Sequence, residues 1–86
     1  MIVKTDDRIA SAMDNCQLLL RNKCLASATE YRADKTVLFV HGATYGSTDT
    51  FDYALDGQSW MDLLASQGVD VWCLDLLGYG QSARPP

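Results

Sequence analysis

Apolar positions along the chain fall into groups, and the grouping sharpens from residue 36 onward. Thr36-Val37-Leu38-Phe39-Val40 is a continuous apolar run rich in β-branched residues that stops at His41-Gly42. A run without polar alternation predicts a strand buried on both faces, as in a parallel sheet. Residues 43–57, ATYGSTDTFDYALDG, carry two glycines among Thr, Ser and Asp and read as a long loop. Loops of that length in compact domains are often functional. Trp60, Leu63 and Leu64 then fall at i, i+3 and i+4, which predicts a helix over residues 59–68 with one apolar face. Asp56 or Ser59 suits the cap at its start, and Gly68 suits the left-handed turn at its end. Val69-Asp70-Val71-Trp72-Cys73-Leu74 follows as a second strand. Strand, helix and strand in this order predict a βαβ unit with a right-handed crossover and a parallel pair.

The first 35 residues are less patterned. Residues 1–12, MIVKTDDRIASA, are mixed. Residues 13–21, MDNCQLLLR, hold an apolar run that suits strand or helix. Asn15 before it and Asn22-Lys23 after it act as turn punctuation and favour a short strand. A second short strand is expected near residues 29–32. The expected fold class is therefore α/β, a parallel βαβ unit preceded by one or two short strands. The expected organisation is one incomplete domain over residues 1–86. Residues 1–35 would hold the N-terminal strands, and residues 36–86 the strand, loop, helix and second strand. Neither Pro85 nor Pro86 continues a helix or a central strand. No helix follows the second strand to cover the sheet, so the chain reads as unfinished.

Composition narrows the function classes. Apolar residues make up 48% and charged residues 21% of the 86, which argues for a packed chain over a disordered one. The net charge of −4 disfavours nucleic acid and anionic membrane as partners. Cys16, Cys24 and Cys73 are odd in number and form no CxxC pair, and His41 is the lone histidine. That pattern argues against a disulfide framework or a zinc site and favours reduced thiols. No metal or other cofactor is expected. The sequence shows no signal-peptide pattern and no apolar run near the roughly 20 residues that span a bilayer. A soluble, cytoplasmic protein is the expectation.

Three features in order carry a family resemblance. They are the buried strand ending in His41-Gly42, the helix, and the strand ending in Asp75-x-x-Gly78-x-Gly80-x-Ser82 followed by Arg84-Pro85. Together, residues 36–86 resemble the α/β-hydrolase superfamily, and the strands before them fit the same fold more loosely. The resemblance implies that the turn after the first buried strand forms part of an oxyanion hole, with backbone N–H groups at Ala43 and Thr44 as donors. Such donors act by being aimed where negative charge develops in the transition state. His41, Gly42, Asp75, Gly78, Gly80 and Ser82 are then loop-ordering residues.

No residue of the chain is assigned a catalytic role. The resemblance implies that the catalytic histidine lies near the far end of a full-length relative, so His41 is not that base. Gly80-Gln81-Ser82 begins like a nucleophile elbow, but Arg84 stands where the second glycine belongs, and the required helix does not follow. Gly78-Tyr79-Gly80-Gln81-Ser82-Ala83 also matches a dinucleotide fingerprint, without the helix or the acidic residue that reading needs. Tyr45, Phe51 and Tyr53 in the long loop suit either a substrate pocket or packing of the loop onto the body.

Two functions follow as expectations. The first is the N-terminal portion of a hydrolase acting on a small-molecule ester, amide or related bond, inactive by itself. The second is a short non-catalytic protein, either a binding or self-associating module using its exposed strand edges or a gene remnant.

Overall fold

A computed structural model of the chain describes residues 1–13, 15–27, 33–42 and 45–84. Four strands form one sheet: β1 (Ile2–Ala10), β2 (Gln17–Leu25), β3 (Thr36–Val40) and β4 (Asp70–Asp75). Two short helices, α1 (Ser47–Phe51) and α2 (Trp60–Ser66), lie between β3 and β4. The strand order is β1-β2-β4-β3. β1 and β2 are antiparallel with Ile2 opposite Leu25 and Ala10 opposite Gln17. β2 and β4 are antiparallel with Leu19 opposite Asp75, and β3 and β4 are parallel with Val37 opposite Val71.

Side chains alternate across the sheet. On one face Val71 and Cys73 are buried with Met61 and Ala65 of α2, and Leu19 is buried on the same face. Phe39 stacks on Phe51 of α1 with ring centroids 4.4 Å apart, and Phe51 in turn meets Trp60 at 6.4 Å. α2 starts where its chemistry allows. The Ser59 hydroxyl accepts the Asp62 N–H, and the Asp62 carboxylate accepts the Ser59 N–H, a capping box. It ends at Gly68, whose φ of +87° a side chain would resist.

The opposite face carries Leu18 and Leu20 of β2, Leu38 and Val40 of β3, and Trp72 and Leu74 of β4. No helix packs on it among the described residues. Leu38 is 57% exposed and Val40 48%.

The architecture corrects the expected fold class. It is a mostly β, four-stranded mixed sheet and not the βαβ arrangement of an α/β-hydrolase. Half of the sheet is an antiparallel hairpin of two nine-residue strands, where one or two short strands were expected. The helices are only five and seven residues long and cover one face. The discrepancy begins in residues 1–12. β1 is almost wholly exposed, so it shows no apolar period, yet it pairs with β2 along its full length. The strand expected within residues 13–21 is shifted to Gln17–Leu25, because Asn22 and Lys23 face partners in place of making a turn. The long loop expected over residues 43–57 contains α1. The strand expected near residues 29–32 lies outside the described residues. Among the described residues, no helix is long and apolar enough to cross a membrane.

Candidate functional site

The carboxyl ends of β3 and β4 meet at one edge of the molecule, and the buried carboxylate of Asp75 organises the loops there. Asp75 is the last residue of β4, and its side chain points to the face that α1 covers. Its Oδ1 accepts the Thr48 N–H at 2.9 Å, and its Oδ2 accepts the Thr48 hydroxyl at 2.8 Å and the Gln81 N–H at 3.0 Å. A fully buried carboxylate is tolerated only when donors replace its water, and three do so here.

Two glycines make room for that carboxylate. A Cβ at Gly46 would lie 2.9 Å from Asp75 Oδ1 and from the Gly80 backbone. A Cβ at Gly80 would strike the carboxylate directly, and Gly80 also has φ +49°. Gly78, at φ +85°, turns the chain between them.

Ser82 closes the loop. Its hydroxyl donates to the Asp75 carbonyl and accepts the Leu19 N–H at 2.7 Å, tying residues 76–84 to β2. Ala83 N–H adds a bond to the Gln17 carbonyl at 2.9 Å. The Arg84 guanidinium donates to the Gly78 carbonyl, and Arg8 of β1 donates to the Gln81 carbonyl.

His41 joins the two loops. Its Nε2 accepts the Leu76 N–H at 2.9 Å, which puts the ring proton on Nδ1, facing the Gly42 carbonyl. The ring also packs against Tyr79 with centroids 4.6 Å apart. With both nitrogens engaged and the ring buried, His41 has no nitrogen left for a substrate. Ala43 and Thr44, the expected backbone donors, lie outside the described residues. Gly42 immediately before them is exposed, with open space where a Cβ would go.

His41, Asp75, Gly78, Gly80 and Ser82 thus converge on one loop cluster. Sequence reasoning missed Thr48, Gly46 and Leu19. The Gly-Ser-Thr order of residues 46–48 was the available signal, since it suits the start of a helix with free N–H groups. Of the loop aromatics, Phe51 packs inward on Phe39, while Tyr45 and Tyr53 are each 69% exposed. A separate apolar cleft opens where residues 10–13, Leu18, Leu76 and Leu77 meet.

A second cluster also escaped the sequence reading. Asp52, directly after α1, accepts from Arg21 Nη1 at 2.9 Å, Lys23 Nζ at 2.6 Å and Ser59 Oγ at 2.7 Å. Arg21 also holds Asp6 of β1, and Lys23 holds Asp62 of α2 at 2.7 Å. The signal was the placement of Arg21 and Lys23 at alternate positions after Leu19, on the face that the helices cover.

Burial, together with the nearby Asp75 carboxylate, pushes the Cys73 thiol up to about 12, so it stays protonated and inert near neutrality. All three cysteines are free. Among the described residues, no group of three His, Cys, Asp or Glu side chains is placed to hold a metal ion. In comparison with known proteins, no family model matches this chain and no curated protein aligns with it significantly.

Proposed function

We propose that these residues supply the oxyanion-stabilising turn and an apolar pocket wall of a hydrolase acting on a small-molecule ester, amide or related bond. The nucleophile and the general base are contributed by protein outside the 86 residues, because the one histidine is committed to the loops. The observation that supports this reading is the His41–Leu76 clasp. It fixes the backbone up to Gly42, at the threshold of Ala43 and Thr44, against a loop that Asp75 and Ser82 already hold rigid. An oxyanion donor works by being held in place before charge develops, and the clasp supports the reading by holding the backbone at His41 and Gly42. The cleft beside Leu76 and Leu77 offers an apolar surface to the acyl or leaving group. A cytoplasmic setting accompanies the reading, and the three free thiols support it.

The test is the intact mass of the gene product in its natural source, followed by labelling with a fluorophosphonate probe. The expected result is a product heavier than 9.5 kDa that takes up the probe, while the 86-residue chain leaves acyl esters intact. His41→Ala in that product should lower kcat for ester hydrolysis by up to about 100–1000-fold, the range for loss of one oxyanion donor. A natural product of 9.5 kDa, or a His41→Ala variant with unchanged kcat, overturns the proposal.

A further inference from the structure

The sheet has two outer edges, and they differ. β1 forms one edge and carries Lys4, Asp6, Asp7 and Arg8. β3 forms the other and reads Thr-Val-Leu-Phe-Val, with no charge, no proline and no glycine. An outer edge presents backbone N–H and C=O groups to any strand that approaches, and charged residues are the usual protection against such pairing.

We infer that the outer edge of β3 is a homotypic interface, at which a second copy of this chain adds its own β3 in antiparallel register centred on Leu38. A two-fold axis at Leu38 sets Leu38 against Leu38, Val37 against Phe39 and Thr36 against Val40. Every pair is uncharged and keeps its side chains on matching faces. Val37 and Phe39 continue the helix-covered layer, while Leu38 and Val40 continue the bare one, with Leu38 covered by its own copy and Val40 by Thr36. Both are exposed in the single chain, at 57% and 48%. The same operation on β1, centred on its midpoint Asp6, sets Asp6 against Asp6 and Lys4 against Arg8. Like charges directly opposite are destabilising, so the choice of edge is determined by charge. A partner of different sequence would need only an apolar strand, but a second copy is self-complementary at every position. No residue of the His41–Asp75 cluster takes part, so failure of the inference leaves the hydrolase reading standing.

Sedimentation equilibrium on the 86-residue chain tests it. The expected mass rises toward twice 9.5 kDa with increasing protein concentration. Leu38→Lys should hold the mass at one chain, because the register then places two ammonium groups face to face. Ile9→Lys on β1 should leave the association unchanged. Far-UV circular dichroism of both variants controls for folding. A Leu38→Cys chain, oxidised gently, should give a disulfide joining two copies at position 38, mapped by mass spectrometry. Should the lysine variant fail to fold, the parent chain still decides the matter: amides of residues 36–40 should gain protection from hydrogen exchange as concentration rises. A one-chain mass at every concentration, or association that survives Leu38→Lys and is lost in Ile9→Lys, overturns the inference.

Discussion

Thr48 and Asp75 are 27 positions apart and joined twice, the backbone N–H of Thr48 to Oδ1 at 2.9 Å and its hydroxyl to Oδ2 at 2.8 Å. This double link sets the start of α1 against the end of β4. Replacing Asp75 by Ala would strand the buried Thr48 N–H and Thr48 hydroxyl and remove the partner of the part-buried Gln81 N–H. Each buried group left without a partner costs about 1–3 kcal/mol. Asp75→Ala should therefore lower stability by about 3 kcal/mol or more, read as a shift in the urea midpoint. Thr48→Val, which removes only the hydroxyl, should cost about 1 kcal/mol. Equal effects from the two substitutions would contradict this account of the loop.

The glycines of the same cluster should separate by space and by backbone angle. Gly80→Ala adds a Cβ inside the contact distance of the Asp75 carboxylate at a positive φ, so both steric terms act together. Its expected cost is about 2–4 kcal/mol. Gly42→Ala meets nothing within 4 Å and has no positive φ, so its cost should stay within about 0.5 kcal/mol. Thermal melts of the two variants are the measurement, and the ranking is the prediction.

Asp52 is the hub of the charged cluster, with its side chain only 4% exposed. Asp52→Ala leaves Arg21 and Lys23 short of a carboxylate in a setting where neither side chain is more than 12% exposed. Removal of one partner from a buried ion pair is strongly destabilising because the other charge stays behind. The expected loss is about 2–4 kcal/mol. Asp6→Ala should cost less, since Asp6 is 32% exposed and Arg21 keeps Asp52. A smaller loss for Asp52→Ala than for Asp6→Ala would overturn the hub assignment.

Stability should form a plateau in pH. The Arg21 hydrogen bond holds the Asp6 carboxyl below its ordinary value. Burial works to raise the Asp62 carboxyl, and hydrogen bonds from Lys23 and Ser59 overcome it, leaving that group lowered as well. Carboxylates with depressed folded values stabilise above their unfolded pKa, and that contribution is lost as pH falls through the folded values. Burial works to lower the Lys23 ammonium, and Asp52 and Asp62 overcome it, so its value is raised. Its contribution is complete below the unfolded lysine value and is lost as pH rises through the folded one. Cys73, pushed up to about 12, contributes in the same sense, and its share disappears as pH climbs toward that value. The urea midpoint should therefore be flat between about pH 5 and pH 8 and fall on both sides. Lys23→Met should shrink the acid-side fall, because Asp62 then loses the partner that depresses it.

The two halves of the chain were unequally legible. β3, α2 and β4 fall within about a residue or two of the expected spans, since an apolar run, a cap residue (Ser59, of the two offered) and a helix-ending glycine are local signals. His41, Asp75 and Ser82 stood out because they lie in the His-Gly and Asp-x-x-Gly-x-Gly-x-Ser segments that follow the two strands. Their partners did not, because Thr48 and Leu19 are 27 and 63 positions away from Asp75 and Ser82 respectively. β1 was illegible for a different reason. A strand pays for its place in a sheet by burying one face or by pairing charges, and β1 does the second through Asp6 and Arg21. Pattern reading registers the first and is blind to the second, and so the expected α/β class missed a hairpin that makes up half of the sheet.

The seating of β4 between β2 and β3 has a consequence for the order in which the molecule forms. The β1–β2 hairpin is local and closes as soon as its 25 residues are made, in the microsecond range typical of hairpins. Leu19, which ends fully covered, has to wait for a strand beginning at Asp70 and for the Ser82 hydroxyl beyond it. Until the ribosome has delivered the residues through Ser82, Leu19 remains without its cover. This is an interval open to chaperone capture or to mispairing, and its length is set by translation and not by the hairpin's own speed.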